Sequence, residues 1–191
     1  MPDRDSLGER GRALEDDYFR KKDRELVEKL RKAAAADEAR QALSSSTGLS
    51  DPALLTELEA LGFAPDTVAL LPLVPIVHMA WAEGGVSAAE RDLIVKLARS
   101  RGIEAASAAD TQLAGWMASR PSDEVFARAS RLIRATLEAG SMPSGMSADD
   151  VVKYCEEIAA ASGGILGIGR ISSEERALLA RIASDLQARR D

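Results

Sequence analysis

Apolar positions along the chain recur at three- and four-residue steps, and no segment alternates apolar and polar with period two. The pattern predicts helices throughout. The clearest run is 122–139, where Phe126, Ala129, Leu132, Ile133, Thr136 and Leu137 share one face, with Gly140 after it. Start and stop residues mark the others. Asp51 followed by Pro52 opens a short helix that Gly62 closes, and further helices are predicted over 87–101 before Gly102, over 107–119, over 147–161, and from Ser172 onward. The most apolar stretch, 67–82, follows Asp66. Pro72 and Pro75 break a continuous helix there unless it restarts near Pro72, which leaves both prolines in a first turn whose amides have no acceptor. We read a kink or a restart there, in a helix buried in the core.

Residues 9–40 follow a different pattern. Charges alternate densely, with Asp17 and Lys21, Glu25 and Lys29, and Glu28 and Lys32 four apart in acid-first order. Leu14, Tyr18, Leu26 and Leu30 leave only a thin apolar stripe. This predicts a long charged N-terminal helix with one narrow seam for the core or for a partner. SSSTGLS, 44–50, reads as a linker by composition. The chain thus divides into an arm and linker over 1–50 and an all-α domain over 51–191.

Composition narrows the setting. A length of 191 residues with 46% hydrophobic suffices for one core and an appendage, and aromatics at 4% leave helix formers dominant. A net charge of −6 argues against a partner held by phosphate neutralisation, so no nucleic acid is expected. The apolar stretch 67–82 is shorter than the ~20 residues that span a bilayer, and no transmembrane segment is expected. With one cysteine and no apolar leader in 1–13, a reducing cytoplasm is the expected location.

One element occurs twice, over 83–100 and 162–185. At an offset of 85, Val86, Ser87, Glu90, Arg91, Leu93, Ile94, Leu97 and Ala98 meet Ile171, Ser172, Glu175, Arg176, Leu178, Leu179, Ile182 and Ala183. Two helical hairpins related by an approximate internal twofold account for this; a solenoid wants three or more copies. In Ser87-x-x-Glu90 and Ser172-x-x-Glu175 the hydroxyl can accept the amide three residues on, while the glutamate reaches back to the serine amide. Both are predicted capping boxes.

Sharper chemistry competes for the same turns. An EF-hand needs carboxylates at several loop positions, which Glu83 alone does not supply, but Glu83 and Glu90 with backbone carbonyls form a candidate weak divalent-cation site. The second copy has Ser162 in place of the acid. It also carries six extra residues, ILGIGR, and its GILGIGRI run lacks the lysine and hydroxyl of a phosphate-binding loop and follows a helix instead of a strand. Ile165, Leu166 and Ile168 there suit a docking knob or a tuck against the core. His78 and Cys155 are single residues of their kinds, a possible base and nucleophile. Yet Cys155 shares a helical face with Val151, Val152, Ile158 and Ala159, and His78 lies in a mostly apolar helix. Trp81 and Trp116 suit the core.

At HMAWAEGGVSAAERDLI the sequence resembles the TerB-like family of bacterial tellurite-resistance proteins, whose fold is shared with the N-terminal domain of membrane-anchored DnaJ-type co-chaperones. Ala82, Gly84, Val86 and Glu90 match the family pattern, with Glu83 where the family has aspartate and Gly85 in the following place. Gly163, Ile171, Ser172 and Glu175 resemble the other half. The likeness spans 61–186 and leaves the arm outside. It implies a pseudo-twofold TerB-like bundle acting in stress responses to metal-like oxyanions, assembled with membrane-associated protein partners, with no catalytic residues to carry over. It also implies cations near the Asp-Gly turn, where Glu83 and Ser162 depart from the pattern. The reading from sequence is a non-enzymatic interaction or scaffold protein without a cofactor. A weak cation binder at Glu83 and Glu90 is the alternative, and a phosphohydrolase on the glycine loop 163–169 is a third.

Overall fold

The structure, a computed structural model, describes residues 3–162 and 171–187, with side chains described for 18–161 and 171–186. Among these residues every regular element is helical: α1 (Asp3–Thr47), α2 (Pro52–Ala60), α3 (Val74–Ala80), α4 (Ala88–Ser100), α5 (Ala108–Ala118), α6 (Asp123–Glu138), α7 (Ala148–Ser162) and α8 (Ser173–Gln187). Two 3-10 turns, Val68–Leu73 and Pro143–Gly145, complete the set. The chain is all-α and divides into two units, 1–41 and 42–191.

The first unit is α1 as far as Gln41. Its charged rows are locally paired, Lys32 with Glu28 at 3.0 Å and Lys22 with Glu25 at 3.6 Å. Glu25 thus pairs with Lys22, not with the expected Lys29. Exposed pairs of this kind contribute only about 0.3–0.5 kcal/mol each, so they support the helix without fixing it against anything.

The second unit begins inside α1, and here the expected linker is corrected. Ser44 to Thr47 are helical, and Gly48 turns the chain at φ +67°. Composition misled because the hydroxyls are spent on the helix itself. Ser46 Oγ donates to the Ala42 carbonyl at 2.5 Å and Thr47 Oγ1 to the Leu43 carbonyl at 2.6 Å. Leu43, Thr47 and Leu49 are buried, so core packing holds this last turn in place.

Serine and aspartate caps set the later helix starts. Asp51 Oδ1 accepts the Ala53 amide at 2.8 Å, and Ser107, Ser122 and Ser147 accept the amides of Asp110, Val125 and Asp150. Beyond the end of α4, Gly102 at φ +83° lets the Ile103 amide reach back to the Ala98 carbonyl at 3.0 Å. A left-handed residue closing a helix in this way brings the next side chain inward, and Ile103 is buried.

The apolar stretch forms the centre. Pro72 sits within the 3-10 turn Val68–Leu73, and the α-helix restarts at Val74 with Pro75 in its first turn. The restart thus falls after Pro72, and only Pro75 occupies the first turn of α3. α3 packs against α4, α6, α7 and α8, and all its residues but His78 are buried. A helix of seven residues is too short to persist alone in water. Burial sustains it, at roughly 1.5–3 kcal/mol for each large side chain such as Ile76 or Met79. Polar ties hold the rim: Glu57 on α2 accepts from Arg128 at 2.9 Å and Arg131 at 2.8 Å, and Trp81 Nε1 donates to the Trp116 carbonyl at 2.9 Å.

Candidate functional site

The doubled element forms two matching hydrogen-bonded starts. The Ser87 amide donates to Glu90 Oε2 at 2.7 Å, and the Glu90 amide donates to Ser87 Oγ at 3.3 Å. In the second copy the Ser172 amide donates to Glu175 Oε2 at 2.7 Å, and the Glu175 amide to Ser172 Oγ at 3.1 Å. The helices that follow bury equivalent residues, Leu97 on α4 and Ile182 on α8.

Burial of the two glutamates is what spacing alone did not reveal. Glu90 is 3% exposed and Glu175 1%. Burial pushes the Glu90 carboxyl above its ordinary value, the bonds from Ser87 oppose that shift, and the charges of Glu175 and Glu83 add to it. Glu175 and Glu83 therefore each lie within electrostatic range of Glu90 in the first turn of α4. Glu83 is exposed, and one Glu90 oxygen is already used on the Ser87 amide. Among the described residues no group of three or more His, Cys, Asp or Glu side chains is arranged to hold a metal ion. Residues 163–169, with Ile165, Leu166 and Ile168, lie outside the described residues.

His78 and Cys155 meet different environments. Cys155 is buried, and burial with the nearby Glu156 charge pushes its thiol well above the ordinary range, so it is protonated at neutral pH. His78 reaches a cleft between α3, α6 and α8. Its ring lies flat on Phe126, centroids 3.9 Å apart and planes within 4°. Burial first, then the Arg120 and Arg181 guanidiniums, lower its pKa to about 4 against the opposing pull of Asp123. Phe126 was predicted as a core position only, and Arg120, Asp123 and Arg181 were not singled out. They come from the connection before α6, from its first residue and from α8, and no linear spacing connects them to His78.

On the arm, Tyr18, Phe19, Leu26, Val27 and Leu30 are exposed, from 46% for Val27 to 61% for Phe19. At about 100° per residue, Phe19, Leu26 and Leu30 fall within about 40° of one another and form one strip. Tyr18 meets Phe19 edge to face at 5.9 Å, with Lys22 5.8 Å over the Tyr18 ring. Phe19 and Val27 were not in the predicted stripe; their place beside Tyr18 and Leu26 was the available signal. No family model matches the chain, nor does any curated protein or solved structure.

Proposed function

We propose that the protein is a non-enzymatic, TerB-like interaction module: a pseudo-twofold helical bundle that carries a helical arm for docking a protein partner. The observation that carries the reading is the exposed strip of Phe19, Leu26 and Leu30 on a helix rich in charge. Large apolar side chains grouped on an exposed face mark interaction sites. Their spacing of seven and four residues is that of a seam received by another helix. The resemblance at 78–94 supplies the setting, a bacterial stress response with membrane-associated partners, and the cysteine usage suits a cytoplasmic location. Affinity capture from the native host tests it. One protein should be retained by the wild type and lost with Leu26→Glu and Leu30→Glu, and equal capture by both sinks the proposal.

The cation reading has one observation in its favour, the charges of Glu83 and Glu175 that reach Glu90. Its ligand supply is thin, because Glu90 already spends an oxygen on its cap.

A further inference from the structure

The cleft around His78 plays no part in the reading proposed above. It has a volume of about 390 Å³, and its lining is divided by chemistry. Phe126, Leu178 and Ile182 make an apolar floor, and Arg120, Asp123, Arg181 and Asp185 make charged walls. His78 forms one edge, only partly buried, with its ring fixed in plane by the stack on Phe126.

The two arginines are held differently. Arg120 Nη2 donates to Asp123 Oδ1 at 2.5 Å, and its guanidinium carbon lies 5.4 Å from the Phe126 ring centre. The Asp123 side chain is 81% exposed, so that pair is an exposed one, which contributes little and exchanges readily. Arg181 is exposed on α8 and, among the described residues, makes no ion pair. A guanidinium presents a planar fork of donors matched to a carboxylate.

The charges set the valence. Arg120 and Arg181 are balanced by Asp123 and Asp185 while the imidazole is neutral, so the walls sum to zero. Arg120 is already paired with Asp123 whereas Arg181 carries no ion pair among the described residues, so one negative charge meets one uncommitted guanidinium, and the second charge of a dianion meets Asp123 and Asp185 instead. A single negative charge can take Arg181 and share Arg120, and an apolar body can lie on Phe126, Leu178 and Ile182. We infer that this cleft binds a small organic monocarboxylate, its charge held between Arg181 and Arg120 and its apolar body on the Phe126 floor beside His78.

Burial is the main cause of the neutral imidazole, and a bound anion offsets the part that Arg120 and Arg181 add to it. Binding therefore raises the imidazole pKa from about 4 toward its ordinary 6.5, and the anion binds more tightly as the pH falls. The charged groups on this ring from the elements around it are Arg120 in the connection before α6, Asp123 at the start of α6 and Arg181 on α8, with Asp185 on the same cleft wall.

His78 is the only histidine, so its ring signals in nuclear magnetic resonance report this cleft alone. The full chain is titrated with benzoate, and separately with inorganic phosphate, at constant ionic strength. Benzoate should shift the His78 signals saturably, half-saturating between about 1 and 10 mM as suits a ligand of that size. It should raise the imidazole pKa and bind at least about tenfold more weakly to Arg181→Gln, an exposed substitution that leaves the core untouched. No saturable shift, or equal binding by Arg181→Gln, overturns the site. Phosphate binding as tight as benzoate overturns the monocarboxylate assignment.

Discussion

Glu90 and Glu175 are the closing members of two capping boxes 85 positions apart, and both are buried with the Glu175 charge helping to hold the Glu90 carboxyl above its ordinary 4.5. A carboxyl whose folded pKa is raised binds its proton more tightly in the fold than in the unfolded chain. Its contribution is present at low pH and is lost as pH rises from 4.5 through the folded value. His78 runs the other way: with its folded pKa lowered to about 4, its contribution is lost as pH falls from 6.5 through that value. The Glu90→Gln variant separates the two. Denaturant unfolding across pH should show wild-type stability falling relative to the variant as pH rises through that window, and a constant or rising difference refutes the buried-carboxylate account.

Removing either cap serine leaves one first-turn amide without its acceptor. Ser87→Ala and Ser172→Ala should each lower stability by about 0.5–2 kcal/mol in denaturant unfolding. Wild-type midpoints for both would mean that the hydrogen bonds at the two helix starts contribute nothing.

Local chemistry made the helix starts legible: Ser87, Ser107, Ser122 and Ser147 each announce a helix that begins one residue on. What failed depended on distant partners. The serines at 44–46 read as linker because the burial of Leu43 and Leu49 is a property of the whole second unit. The break near Pro72 was legible, whereas its exact place, with the α-helix resuming at Val74, was not. The His78 cleft was invisible for the same reason, since α3, α6 and α8 contribute one wall each and only folding brings them together.

Gly48 offers a contrast with Gly84. Both have positive φ, +67° and +88°, but a Cβ at Gly48 would stand 2.7 Å from the Ser141 Cβ, whereas one at Gly84 meets nothing within 4 Å. Gly84→Ala should therefore cost only the conformational term of about 1–2 kcal/mol. Gly48→Ala adds overpacking, for roughly 2–4 kcal/mol in all. Equal losses in thermal unfolding would show that Ser141 gives way freely.

Cation binding at the first capping turn should be weak, because Ca²⁺ wants six to eight oxygens and Mg²⁺ keeps several waters. Calorimetric titration of Ca²⁺, Mg²⁺, Mn²⁺ and Zn²⁺ into chelator-treated protein should give dissociation constants no tighter than roughly 10⁻⁴ to 10⁻³ M. A millimolar ion would then stabilise the fold by only about 0.4–1.4 kcal/mol. Micromolar binding that Glu83→Gln or Glu90→Gln abolishes would replace the interaction reading with a metal site.

The claim that the arm docks a protein through one strip is tested most directly by a photo-crosslinking side chain placed at Leu26 or, two residues on and about 200° round the helix, at Glu28. Leu26 is exposed in the strip, while Glu28 lies on the charged side, paired with Lys32 at 3.0 Å. Irradiation in the native host should give one discrete protein adduct from position 26 and none from position 28. No adduct at 26, or the same adducts from both positions, would contradict the account.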